Sequence, residues 1–194
     1  MSTLKRNIPN MLSAYRIVLV PILAYFFFVG GETATWINVV LFFFACLSDY
    51  FDGAIARSTG ESTTFGKFLD ATSDKILIGS VLLLLIAFNR ITGIWIVPAL
   101  IIFIREILVS GLREFLGQYN VAVPVTWIGK WKTAVQMFAS GFLMAGEYGP
   151  SVVPHSVEIG LVAFVIATIM TLISGADYLI AGIKTVKEID SKRA

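Results

Sequence analysis

Charge is scarce in this chain. Asp, Glu, Lys and Arg together make up 14% of its 194 residues. A soluble domain carries about 25%. That shortage excludes an ordinary water-soluble domain. Hydrophobic residues fill 57% of the chain, and mean hydropathy is +0.82. Cysteine occurs once, at Cys46, and histidine once, at His155. An intrachain disulfide is therefore excluded, and so is a Cys/His metal centre. Net charge is only +2, too small to point to nucleic acid. There is no internal repeat, no low-complexity tract and no long polar segment, so residues 1–194 read as one domain. The start, MSTLKRNIPNMLSAYR, lacks a small-residue cleavage site after a short apolar core. It reads as retained rather than as a signal peptide.

What the chain does have is long apolar runs. A spanning helix needs about 20 mostly apolar residues. Six runs qualify, near 11–29, 34–57, 66–88, 92–117, 130–147 and 156–183. Breakers mark the joints: Gly30-Gly31, Ser58-Thr59-Gly60, Thr92-Gly93, Gly117 to Pro124, Gly149-Pro150 and Pro154. The expected fold class is an all-α integral membrane protein with six transmembrane helices. A short N-terminal interfacial segment, residues 2–9, would hold Lys5 and Arg6 near anionic headgroups.

Charge bias orients the spans. With the N-terminus in the cytoplasm, every Lys and Arg except Arg90 falls at the cytoplasmic side or at a helix end. The positive-inside rule supports that orientation. Both termini are then cytoplasmic. Trp36 and Trp95 fall at outer edges, and Trp127 and Trp131 at an inner edge, as in an aromatic belt.

The acidic residues break the pattern. CLSDYFDGAIARSTGESTTFGKFLDATSDKILIG, residues 46–79, holds Asp49, Asp52, Asp70 and Asp74 between apolar flanks. A helix advances about 100° per residue. Asp49, Asp52 and Ala56 then share one narrow face, and Gly66, Asp70 and Asp74 share another. The loop between the two runs, Ser58 to Phe65, is short, so the helices are expected to be antiparallel neighbours with facing acidic stripes. Four carboxylates meeting there could not all ionise unaided. Divalent cations resolve the conflict. Hard oxygen donors favour Mg²⁺, or Mn²⁺ in its place. Two such ions balance four carboxylates and leave room for a phosphate ligand. Gly53 and Gly66 permit close approach by a ligand or a neighbouring helix. The plain alternative is that these aspartates are hydrated helix ends. Four at these spacings argue against it, because ionisable residues at a membrane are costly and mostly functional.

DYFDGAIARSTGESTTFGKFLDATSD resembles the signature of the CDP-alcohol phosphotransferases, D-x2-D-G-x2-A-R, eight residues, then G-x3-D-x3-D. Asp49, Asp52, Gly53, Ala56, Arg57, Gly66, Asp70 and Asp74 match every fixed position. The resemblance implies that family's fold: a six-helix membrane enzyme, usually a homodimer, with a two-metal site at the cytoplasmic face. It implies transfer of a substituted phosphate from a CDP-linked donor to an alcohol, with release of CMP. By the same resemblance Asp49, Asp52 and Asp70 are metal ligands. Asp74 is the general base and close enough to touch a metal as well. Gly53, Ala56, Arg57 and Gly66 form the nucleotide-facing wall, with Arg57 on a phosphate. The chemistry fits, since phosphoryl transfer needs charge neutralisation and in-line positioning and a carboxylate to take the hydroxyl proton. Donor acyl chains would stay among the membrane lipids.

The acceptor is read from IREILVSGLREFLGQYNVAVPVTWIGKWKTAVQM, residues 104–137. Arg105 interrupts an apolar run and needs an anionic partner. Arg113 lies eight residues on, about 12 Å along a helix. Lys130 and Lys132 open the next run, with Gly129 beside them. Several gathered cations suggest an acceptor that is itself a phosphate. Topology alone offers another reason for cytoplasmic lysines, chiefly for Lys132. Arg105 could instead pair with Glu114; Glu106 is disfavoured because adjacent helix residues do not face each other. The segment is similar to the phosphatidylglycerophosphate synthase branch of the family, as is NIPNMLSAYRIVLVP at the start. Pro124 departs from the usual loop. The branch implies glycerol 3-phosphate as acceptor and CDP-diacylglycerol as donor, with Arg105, Arg113 and Lys130 at the acceptor phosphate. It also implies a place in the inner (cytoplasmic) membrane.

Other residues attract weaker readings. His155 and Cys46 are given no chemistry. Asp177 reads as a helix-end or water contact, and Asn10 and Arg16 as headgroup anchors or phosphate contacts. Rival functions are the same chemistry with inositol phosphate, serine or a second phosphatidylglycerol, a divalent-cation transporter, or a silent membrane scaffold. Clustering of the carboxylates at one face weighs against transport.

Overall fold

A computed structural model describes residues 3–59, 64–119, 121 and 127–191. The backbone of residues 3–10, 12, 49–59, 64, 65, 67, 70, 130 and 190 is described, but their side chains are not. Six helices account for nearly all of it: α1 (Thr3–Val29), α2 (Gly31–Thr59), α3 (Thr64–Ala87), α4 (Ile96–Gly117), α5 (Trp127–Ala145) and α6 (Ser156–Ser191). A 3-10 turn, Gly93–Trp95, leads into α4, and another, Gly146–Ser151, follows α5. No strand occurs among the described residues. The six helices fall where the six apolar runs lie. Residues 3–10 continue into α1 without a break, so the N-terminal segment is the start of that helix. In lipid a segment must satisfy its own backbone, which helices do.

Among the described residues, three stretches are long and apolar enough to cross a membrane by themselves: Gly31–Ser48, Gly93–Gly117 and Ser156–Ile189. In α1 the apolar stretch is Ser13–Val29. Polar and charged residues interrupt α3 at Asp70, Asp74 and Lys75, and α5 at Lys130, Lys132 and Gln136. Large apolar side chains such as Phe103, Ile104, Ile107, Ile166, Ile169 and Ile180 point outward. Arg16, Lys132, Gln136, Thr171 and Ser174 are buried. Apolar outside and polar inside is the reverse of a soluble domain, and lipid is the solvent that favours it.

The chain forms two compact units. The first comprises Met1–Ile91 with Ser140–Val157, and the second Thr92–Ala139 with Glu158–Ala194. In the first, α1 packs on both α2 and α3. Leu19, Leu23 and Phe27 on α1 and Leu77, Val81 and Leu85 on α3 recur every four residues, and all are buried. That spacing gives each helix one continuous inner stripe. Phe88 lies between Phe27 and Phe28, at 5.1 Å from each ring centroid. Gly30 and Gly31, at φ +67° and +80°, reverse the chain between α1 and α2 in a left-handed conformation that favours glycine. Arg90 reaches Glu147 at 3.7 Å. Gly146, at φ +52°, leaves the space that the Arg90 guanidinium fills.

In the second unit α4 and α6 run parallel. Arg105 meets Ser174, Leu112 meets Gly182, and Arg113 meets Tyr178, so both helices advance together. Gly175 and Gly182 are seven residues apart and share a face. Small residues on one helix let a neighbour approach closely inside a membrane.

Candidate active site

The acidic signature lies on α2 and α3, in the first unit. Asp49, Asp52, Gly53, Ala56 and Arg57 belong to the last turns of α2. The helix runs unbroken through them, so Asp49 and Asp52 share a face. Asp70 and Asp74 share a face on α3 for the same reason. The side chains of Asp49, Asp52, Ala56, Arg57 and Asp70 lie outside the described residues, as does any description of burial at Gly53. Gly66 is buried, Asp74 is half-buried, and the Oδ1 atom of Asp74 is closed off from solvent. If the four aspartates meet, they would offer oxygen donors only, a set that would suit Mg²⁺ or Mn²⁺ and not a thiophilic ion.

The cations lie in the second unit, on α4 and α5. Arg105 is held in a defined pose. Its Nη2 donates to Ser174 Oγ at 3.2 Å, and its Nη1 donates to Glu106 Oε1 at 3.2 Å. Its stem lies against Gly175, where a Cβ would stand 2.9 Å from Arg105 Cγ. Lys132 also donates to Glu106 Oε1, from α5. Arg113 lies over the Tyr178 ring, 5.7 Å from its centroid. The Lys130 side chain lies outside the described residues.

Two sequence expectations change here. Glu106 was disfavoured as a partner of Arg105, yet it is one. The helical rule concerns where Cβ atoms point. Arg105 is long enough to fold back along its own helix, and Lys132 draws the Glu106 carboxylate to the same side. Lys132, read as mostly topological, is 4% exposed. A topological lysine would reach into water or headgroups. Burial against a carboxylate makes it part of the cation cluster.

Arg16 is 0% exposed, which does not fit headgroup anchoring. Asp177 is exposed, as a water contact requires. His155 adopts φ +59° in the turn before α6, a conformation in which histidine is enriched. The side chain of Asn10 lies outside the described residues.

Ser174 and Gly175 escaped sequence reasoning, and Glu106 entered it only as a disfavoured partner. A signal existed. Arg105-Glu106 is an opposite-charge pair inside one apolar run, and Ser174-Gly175 is a pair of small residues inside another. Each marks a place where helices meet closely around a polar group.

A model of the CDP-alcohol phosphatidyltransferase family matches residues 6–176. The chain belongs to this family. Relatives extend along nearly the whole length. The CDP-diacylglycerol–glycerol-3-phosphate 3-phosphatidyltransferase of Rickettsia felis is 39% identical over 173 residues, 89% of this chain and 93% of the relative. The protein of that name from Haemophilus influenzae is 35% identical over 180 residues, 91% and 93%. The one from Salmonella choleraesuis is 35% identical over 179 residues, 90% and 94%. Membership of the CDP-alcohol phosphatidyltransferases accounts for the membrane helices and the aspartate signature together.

Proposed function

We propose that the chain transfers the phosphatidyl group of CDP-diacylglycerol to sn-glycerol 3-phosphate, giving phosphatidylglycerol phosphate and CMP. The observation that carries this reading is similarity over about nine-tenths of the chain to relatives named for that reaction. Arg105 and Lys132, gathered on Glu106, and Arg113 further along α4 add chemical support, since gathered cations suit an acceptor that is itself a phosphate.

Asp49, Asp52, Asp70 and Asp74 would hold two divalent ions, Mg²⁺ or Mn²⁺. When bound, such ions neutralise the pyrophosphate and favour departure of CMP. The chain's own residues do the rest. Asp74 takes the proton from the primary hydroxyl of glycerol 3-phosphate. That oxygen forms a bond to the phosphorus carrying the diacylglycerol, and the bond from that phosphorus to the CMP oxygen breaks. Gly53, Ala56 and Gly66 let the nucleotide approach the helix backbones, and Arg57 meets a phosphate. Arg105, Arg113 and Lys130 bind the acceptor phosphate. In this reading residues 1–194 act as one membrane-embedded domain, supported by a family match that runs through both units. The protein works as a homodimer in the inner (cytoplasmic) membrane. Its termini and site face the cytoplasm, as the lysine and arginine bias favours.

The test is CMP release from CDP-diacylglycerol by purified protein with Mg²⁺, with one acceptor offered at a time. Glycerol 3-phosphate should support turnover far above serine, inositol phosphate or phosphatidylglycerol. Faster release with another of these would replace the acceptor. No CMP release with any, alongside metal flux in sealed vesicles, would replace the enzyme by a transporter.

A further inference from the structure

Glu106 is the odd member of the cation cluster. A carboxylate repels the phosphate that the cluster is read as binding, yet it sits at the centre, bonded to Arg105 on its own helix and to Lys132 on α5. We propose that Glu106 is a positioning residue for the acceptor site, which it builds by pinning Arg105 and Lys132, without touching the acceptor. The proposal rests on the phosphatidyltransferase reading above and deepens it.

Arg105 shows how the pin works. Glu106 and Ser174 hold one donor on each terminal nitrogen of the guanidinium. Gly175 supports the stem. The plane of the fork is thereby set. Arginine has five N–H donors, so three remain for an anion. One of them, on Nε, is buried and has no hydrogen-bond partner among the described residues. A buried donor without a partner is costly and asks for an incoming acceptor atom. The fork is held from behind, with donors to spare for a phosphate.

Lys132 shows why the pin must be an anion. Its side chain is 5% exposed, and that of Arg105 is 14% exposed. Two cations sharing one carboxylate would repel each other strongly if it were absent, because little water screens them. Glu106 leaves the trio with a single net positive charge. Lys132 in turn extends the cation set from α4 to α5. That makes Lys132 part of the acceptor machinery, where sequence alone left its role open. A neutral residue at 106 would let the lysine and the arginine swing apart. The site would keep its cations and lose their convergence.

The test varies each substrate in turn for wild type, Glu106→Ala, Glu106→Gln, Glu106→Asp, Lys132→Ala and the Glu106→Ala/Lys132→Ala double variant. Glu106→Ala should raise the KM for glycerol 3-phosphate about tenfold or more and leave the KM for CDP-diacylglycerol within about twofold. Glu106→Gln keeps the shape without the charge and should fall between. Glu106→Asp should recover part of the loss. The double variant should be no worse than Glu106→Ala alone, as expected of coupled residues. A lower acceptor KM in Glu106→Ala or Glu106→Gln would mean that the carboxylate competes with phosphate, and would overturn the proposal. So would equal rises in both KM values, or multiplicative losses in the double variant. The Tm of the same set in detergent separates this outcome from failure of the functional reading. A wild type that releases no CMP with glycerol 3-phosphate sinks that reading alone. Non-additive Tm losses at Glu106 and Lys132 would still support the pin, and additive ones would overturn it.

Discussion

Arg105 on α4 rests its stem on Gly175 of α6, so closely that a methyl group there would stand 2.9 Å from Arg105 Cγ. The contact works only because α6 has no side chain at that point. Gly182, two turns on, takes Leu112 of α4 in the same way. One seam therefore fixes both a charged side chain and an apolar one.

The pair of glycines separates positioning from packing. Gly175→Ala should push Arg105 off its hydrogen bonds to Glu106 and Ser174. The KM for glycerol 3-phosphate should rise by roughly threefold to thirtyfold, since a misplacement of about 1 Å is costly at a binding site. Gly182→Ala should lower the Tm, because Leu112 must give way, yet leave that KM within about twofold. Equal KM effects from the two alanines would show that Arg105 placement is not what Gly175 secures.

Asp74→Asn removes the proposed base and keeps the side chain's shape. Turnover should fall by about 10²–10⁴. Binding of the donor, followed by calorimetry with CDP-diacylglycerol in micelles, should stay within about threefold. A variant with near wild-type turnover would remove Asp74 from the role of base. One that loses donor binding and turnover together would make metal or donor binding its main task.

Gly146 tests the far end of the first unit. Its φ of +52° disfavours any side chain, and the Arg90 guanidinium occupies the space a Cβ would need. Gly146→Ala should cost about 1–3 kcal/mol and lower the Tm, with both KM values unchanged. In an Arg90→Ala background the steric part should vanish and the backbone part remain. The test is the Tm of the four proteins. Full additivity would mean that Arg90 plays no part in the strain.

Much of the architecture was legible because a membrane restricts the choices. Apolar runs of spanning length must be helical, and six such runs match six helices. The end of α6 was legible too: KTVKEIDSKRA reads as a solvated helix end, and α6 continues to Ser191, eight residues past the apolar run. Lys184 and Glu188, spaced by four, suit such a helix. Arg105 stood out because charge inside an apolar run is expensive. Its partners did not. Lys132 and Glu106 are separated by 26 residues, and no local periodicity links α5 to α4. Ser174 and Gly175 matter for what they leave open, which a one-dimensional reading does not weigh.

The glycine seam also limits redesign. A glycine is already as small as a residue can be. The wall that α6 presents to Arg105 cannot retreat further by substitution; it can only advance. Room for a bulkier acceptor must come from trimming α4 or α5, and on α4 the nearest candidates are Arg105 and Glu106 themselves. If Arg105 binds the acceptor as proposed, size selectivity and charge recognition rest on the same few atoms, and an engineer who relaxes one will disturb the other.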